Sequence, residues 1–164
     1  MLILGIDPGT TLVGYGVVRK NKKIERIKKE VEVVGYGLIE TLPNDNQDGK
    51  LLKIFNSINQ VIDRFQPDLL VIEKLFFFKN RKTIIEVAQA RGIIILAAAL
   101  KGIPIIETTP LQVKIAVVGY GRAEKRQVQI MVKNIFGLPE IPRPDDVADA
   151  LAIAYYGAVT KLDY

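Results

Sequence analysis

Two short apolar runs in this chain each close on a carboxylate. Leu2, Ile3, Leu4 and Ile6 lead to Asp7, and Leu69, Leu70, Val71 and Ile72 lead to Glu73. Apolar runs of this length, bounded by turn residues, read as buried strands, and an acid at the end of one lies where the strand meets solvent. Asp7 is followed by Pro8, Gly9 and Thr10. It is therefore either a turn-former, its carboxylate capping nearby amides, or a ligand.

The pattern between and after these runs is that of a mixed sheet flanked by helices. Leu12 to Arg19 reads as a second strand, and the charged, alternating stretch from Asn21 to Thr41 as one or two further antiparallel strands with an exposed lysine-rich face. Leu51, Leu52, Ile54, Phe55, Ile58, Val61, Ile62 and Phe65 recur at helical spacing, which predicts an amphipathic helix from Asp48 to Gln66, ended by Pro67. A second helix is expected from about Asn80 to Leu100. Its latter half is apolar nearly all round, as in a helix central to a core or lying in a subunit interface. "IPIIET" reads as a short strand, the region from Pro110 to Phe136 as two helical patches separated by "GYGRAEK", and "DDVADALAIAYYGAV" as a final helix. The expectation is an α/β fold in one domain spanning residues 1–164, with a central mixed sheet flanked by helices.

Two absences restrict the chemistry. There is no cysteine and no histidine, so thiolate sites, cysteine nucleophiles and the commonest general base are excluded. A site here is built from carboxylates, lysine, arginine, tyrosine or hydroxyls, and carboxylates alone suit hard cations such as Mg²⁺ or Mn²⁺. The net charge of +5 is unevenly spread: 0 over residues 1–73, +8 over 74–133 and −3 over 134–164. A basic middle third is an electrostatic footprint for a polyanion, though a solvated lysine-rich surface has the same composition. The sequence shows no signal peptide and no apolar run long enough for a bilayer, since Ile93 to Leu100 is cut off by Lys101 and Gly102. The expected location is the cytoplasm.

In an open sheet with parallel neighbours, ligands collect outside the carboxyl ends of the strands, so Asp7 and Glu73 are candidates to meet at one edge. Asp146 and Asp149, at i and i+3, project from one face of the final helix and would close the cluster. Acids at the start of a helix also serve as caps and suit its dipole. A cap does not explain the apolar surroundings of Asp149, which is followed by Ala150, Leu151 and Ile153 and preceded by Ala148. Four carboxylates with no other ligand type fit a two-metal phosphodiester site.

"GIDPGTTLVGYGVV", "IEKLFFFKN", "QARGIII", "VVGYGRAEKRQVQIMV" and "DDVADALAIA" resemble, in order and spacing, the blocks of the RuvC Holliday junction resolvases. The resemblance covers nearly the whole chain. It implies a ribonuclease H-like fold, a homodimer, and nicking of four-way DNA junctions in recombinational repair. It also implies Mg²⁺, two ions per subunit with Mn²⁺ able to substitute, and the RuvA–RuvB branch-migration complex as partner. The family's catalytic, metal-holding acids fall on Asp7, Glu73, Asp146 and Asp149. Asp145 also lies at i, i+4 from Asp149, but the match favours Asp146, leaving Asp145 as a cap or a residue just outside the ligand set. DNA contacts are implied for Lys114, Arg122, Lys125 and Arg126 around "VVGYGRAEK" and for Lys79, Arg81 and Lys82 after Glu73. Phe76 matches an aromatic position used at the junction centre, with at least one of Phe76, Phe77 and Phe78 expected in the core.

Three other readings start from the same residues. "GIDPGTT" is similar to the phosphate loop of actin-like ATPases and sugar kinases, which need a second domain to close over the nucleotide. An inactive nucleic-acid-binding module of the same fold would not need all four acids. A ribonuclease acting on RNA–DNA hybrids would share the metal chemistry but not the substrate.

Overall fold

The structure, a computed structural model, describes residues 1–21, 30–42, 44–75 and 84–160. β1 (Leu2–Asp7) and β2 (Leu12–Lys20) form an antiparallel hairpin, and β3 (Val31–Glu40) runs antiparallel along the far side of β2. β4 (Leu69–Glu73) pairs with β1 in parallel and β5 (Ile105–Thr108) pairs with β4 in parallel, so the order is β3-β2-β1-β4-β5. The helices are α1 (Gln47–Phe65), α2 (Ile84–Leu100), α3 (Pro110–Val118), α4 (Lys125–Phe136) and α5 (Asp145–Val159). This is the mixed sheet flanked by helices that the sequence predicts. Among the described residues no helix is long and apolar enough to cross a membrane.

The boundaries move only where local chemistry dictates. The Asn46 side chain caps α1 by accepting from the Gly49 N–H at 3.2 Å, and the helix leaves through Gln66 at φ 47°, one residue earlier than expected. The expected strand "IPIIET" narrows to Ile105–Thr108, although the Pro104 carbonyl already accepts from the Leu70 N–H at 2.9 Å. Val31–Glu40 is one continuous strand; Lys22, Lys23, Lys28 and Lys29 of the expected lysine-rich face lie outside the described residues. The start expected for α2 near Asn80 lies outside them too.

Strand alternation divides the buried apolar residues of the sheet between two cores. Leu4, Ile6, Val13, Val17, Leu70 and Ile72 face α1 and α2, packing on Ile54, Ile58, Ile94 and Ala98. Ile3, Val18, Leu69 and Val71 face α3, α4 and α5, packing on Val117, Val132, Leu151 and Ile153. Asp7 is two residues beyond Gly5, and Glu73 two beyond Val71, its neighbour across the parallel pair. By the same period of two, both carboxylates emerge on the α5 side.

α5 lies against the sheet where side chains are absent. Gly5 and Gly16 are cross-strand partners, and α5 crosses them so closely that a Cβ on Gly5 would lie 2.3 Å from the Ala154 nitrogen and 2.4 Å from the Ala150 oxygen. Those are backbone atoms of a buried helix and have nowhere to move. Gly5→Ala is therefore expected to destabilise the protein by about 1–3 kcal/mol or more, as overpacked cores do. Urea unfolding measures it, and a variant as stable as the parent would show that α5 is free to lift from β1.

Candidate active site

The turn after β1 is tight: a Cβ on Gly9 would lie 2.1 Å from the Leu12 oxygen. It is tied to the end of β3 by Thr41, whose N–H donates to the Thr11 carbonyl at 2.9 Å and whose hydroxyl donates to the Thr10 carbonyl at 2.8 Å. The Asp7 carboxyl takes part in neither of these bonds and sits at the sheet edge. Its cross-strand partner is Gly14, and a Cβ on Gly14 would lie 2.0 Å from the Asp146 carbonyl oxygen. The first turn of α5 therefore rests on β2 directly beside Asp7.

Asp145 and Asp146 occupy that first turn, where the helix dipole favours acids. The capping alternative is not what forms. Pro144 holds the N-cap position, and no side chain makes a cap hydrogen bond there. Asp146 and Asp149 are part-buried, while Ala148, Ala150, Leu151 and Ile153 around them are fully in the core.

The acids feel one another. Burial, followed by the charges of Asp149, Glu73 and Asp146, pushes the Asp7 carboxyl up to about 8, with Lys125 pulling the other way. Burial and then Asp149 push Glu73 up to about 7, again opposed by Lys125. Burial also raises Asp149 above the ordinary aspartate value, against a hydrogen bond from Lys125. Burial pulls the Lys125 ammonium down, but its bond to Asp149 and the charges of Asp149 and Asp145 outweigh this and hold it above the usual lysine value. The Lys125 Nζ lies 3.0 Å from Asp149 Oδ2 and 3.4 Å from Asp145 Oδ2.

Such a set fits a hard divalent cation in charge and in donor chemistry, since every acceptor is a carboxylate oxygen and one lysine leaves the negative charge undercompensated. Among the described residues no three acids close around a single point, and Asp149 is paired with Lys125. Asp7, Glu73, Asp146 and Asp149 are the residues that would hold such an ion, and an ion on Asp149 would compete with Lys125 for its carboxylate.

Lys114 and Lys125 line, with Glu73, Asp149, Val113 and Val128, a cleft of ≈ 310 Å³ opening beside the acids. Thr109 sets the position of Lys114: its hydroxyl accepts from the Gln112 N–H at 3.2 Å, its own N–H donates to Gln112 Oε1 at 2.9 Å, and Pro110 starts α3. Arg122 and Arg126 are exposed and do not line the cleft. Phe76, Lys79, Arg81 and Lys82 lie outside the described residues, as do Phe77 and Phe78. A larger hollow of ≈ 340 Å³, walled by Tyr15, Glu40, Lys53 and Arg64, is on the other side of the sheet, away from the acids.

Sequence reasoning missed Arg91. Its Nε donates to the main-chain carbonyl of Glu73 at 3.0 Å and its Nη2 pairs with Glu107, which also lies 3.8 Å from the Lys74 Nζ. The side chain is 15% exposed. It fastens α2 to the carboxyl ends of β4 and β5, and the signal was the one basic residue of a helix whose other polar side chains are Glu86 and Gln89.

A family model described as crossover junction endodeoxyribonuclease RuvC matches residues 3–156. Over 94% of its length the chain is 51% identical to a protein of that name from Desulforamulus reducens, covering 91% of it, and likewise 51% identical to one from Moorella thermoacetica, covering 89%. Two solved structures superpose over 96% of this chain and 93% of theirs: Thermus thermophilus RuvC, at 36% identity and a TM-score of 0.86, and T. thermophilus RuvC in complex with Holliday junction substrate, at 35% and 0.87. The yeast mitochondrial Holliday junction resolvase, at 14% identity and a TM-score of 0.63, shares the fold.

With Asp7 raised to about 8 and Glu73 to about 7, the folded, metal-free protein binds more protons than the unfolded chain from about pH 4 to pH 8. Stability is therefore expected to fall as pH rises through that window, by up to roughly 1.4 kcal/mol per pH unit for each proton released. Thermal melts in chelator from pH 5 to pH 9 measure it. Asp7→Asn or saturating Mg²⁺ should flatten the slope, and a metal-free melting temperature that rises with pH would contradict the electrostatics.

Proposed function

The chain belongs to the RuvC family of crossover junction endodeoxyribonucleases, and from that premise we propose that it resolves four-way (Holliday) DNA junctions by metal-dependent nicking of two symmetry-related strands. The reading is carried by one observation: Asp7, Glu73 and Asp149 act on one another's charge at the carboxyl ends of β1 and β4, beside a cleft walled by Lys114 and Lys125. One nuclease domain, working in the cytoplasm with the RuvA–RuvB complex, completes the reading.

Asp7, Glu73, Asp146 and Asp149 would hold the cations, Mg²⁺ by this reading, two per subunit, with Mn²⁺ as substitute. When bound, such ions lower the pKa of water and offset the charge that develops on a phosphodiester under attack. The chain's own residues do the rest. Lys114 and Lys125 attract a phosphate into the cleft, and their positive charge favours backbone over base contacts, suiting recognition by junction shape rather than by a long sequence. Arg91 fixes the strand end from which Glu73 projects. Arg122 and Arg126, both exposed, are further phosphate contacts in this reading, joined by Lys79, Arg81 and Lys82, while Phe76 stacks on a base at the junction centre.

Asp7→Asn, Glu73→Gln, Asp146→Asn and Asp149→Asn are each expected to lower cutting by roughly 10²-fold or more, a loss of several kcal/mol of transition-state stabilisation, with junction binding largely kept. The assay offers a four-way junction, a linear duplex and an RNA–DNA hybrid of matched length with Mg²⁺. Paired nicks in the junction alone support the reading. Selective cutting of the hybrid would give the ribonuclease alternative, and tight ATP binding the kinase-like one.

A two-fold dimer supplies two clusters for two strands. α2 supports it: Ile85 and Leu96 are 68% and 47% exposed, and Ala88, Gly92 and Ala99 on the same stripe are open to solvent. These positions follow a helical spacing of three and four, so they form one apolar face. Leu96→Glu should convert a dimer to a monomer in sedimentation experiments and separate the two nicks in time; a parent protein that sediments as a monomer while making paired cuts would exclude the dimer.

A further inference from the structure

We propose that Asp145 is a positioning residue that takes Lys125 away from Asp149 when a divalent cation enters the acid cluster. The inference rests on reading Asp149 as a metal ligand. Asp145 and Asp149 stand one helical turn apart on the same face of α5 and share a single ammonium, at 3.4 and 3.0 Å. Lys125 is the first residue of α4, where the helix dipole disfavours a cation, so these two acids are what keep it in place.

The two acceptors differ in what else they see. Asp149, with its side chain 29% exposed, bears on both Asp7 and Glu73; Asp145, 58% exposed, bears on neither. Asp149 is inside the cluster and Asp145 outside it. A doubly charged ion on Asp149 removes the acceptor that Lys125 holds most closely and repels the ammonium at short range. Asp145 is already within ion-pair distance, so the lysine needs only to trade a shared contact for an exclusive one. It thereby stays on the wall of the cleft, beside Lys114, instead of swinging into solvent. Without Asp145 the ion must break the Lys125–Asp149 pair with no carboxylate to receive the lysine.

The test is a double-mutant cycle read as the dissociation constant for Mn²⁺ alone, followed by the electron paramagnetic resonance of the free ion at one fixed pH. The proteins are the full chain, Asp145→Asn, Lys125→Met, the double variant, Asp145→Glu and Asp149→Asn. Lys125→Met is expected to tighten Mn²⁺, and Asp145→Asn to weaken it by roughly 3–10-fold, the coupling usual for groups in contact. In the Lys125→Met background Asp145→Asn should change affinity by less than about 2-fold, and Asp145→Glu in the parent should restore it. Equal weakening in both backgrounds would overturn the proposal by making Asp145 a direct charge on the ion. No weakening in either would overturn it by leaving Asp145 a helix-terminus acid. Unchanged affinity in Asp149→Asn would instead remove the ligand reading itself, an outcome separate from the cycle.

Discussion

The contact on which the molecule depends is backbone against backbone: α5 lying on the glycines of β1 and β2. Gly5, Gly14 and Gly16 remove the side chains that would hold a helix at the usual distance from a sheet, and the helix settles onto them. The approach continues at the other end, where a Cβ on Gly157 would lie 2.6 Å from Val71 Cγ2. Because it fixes α5 in height as well as direction, Asp146 comes down beside Asp7 and Asp149 comes within range of Glu73. A helix perched on ordinary side chains would carry the same acids several ångströms too far out.

The cluster that results is poorly suited to the protein alone. Burial and mutual repulsion make Asp7 and Glu73 hold protons at neutral pH that free carboxylates give up, and one lysine is too little to offset them. A fold keeps such an arrangement when something else supplies the missing charge, and strain of this kind concentrates at functional sites. The surrounding scaffold is different: the cores on the two sides of the sheet are made of Ile, Leu, Val and Ala with Phe136 and Tyr156, and among the described residues no buried side-chain polar atom lacks a partner.

Much of this was legible in the sequence because strand and helix periodicity report burial. The two runs ending at Asp7 and Glu73 were strands, they did lie parallel, and "DDVADALAIAYYGAV" was a helix with those bounds. Periodicity does not report partners. Nothing in the spacing said that Lys125 would hold Asp149, that Pro144 would stand at the N-cap where an aspartate was a candidate, or that Arg91 would reach Glu73 and Glu107 across elements. Those contacts depend on how three helices stack on one sheet edge, which is set by volumes and glycine positions far from the residues concerned. The apolar second half of α2 was read as core or interface; the structure puts Ile94, Ala97 and Ala98 in the core and leaves Leu96 and Leu100 exposed, so the core reading holds for one side of the helix only.

Arg91 gives that division a mechanical meaning. The helix whose outer stripe is bare is fastened by one guanidinium to the strand end that carries Glu73. A push on α2 from outside cannot be absorbed at that end without breaking bonds to a main-chain carbonyl and to Glu107, so it is passed on to the carboxyl terminus of β4. The helix acts as a strut. The exposed stripe of α2 and the strand end that carries Glu73 are thereby parts of one braced unit.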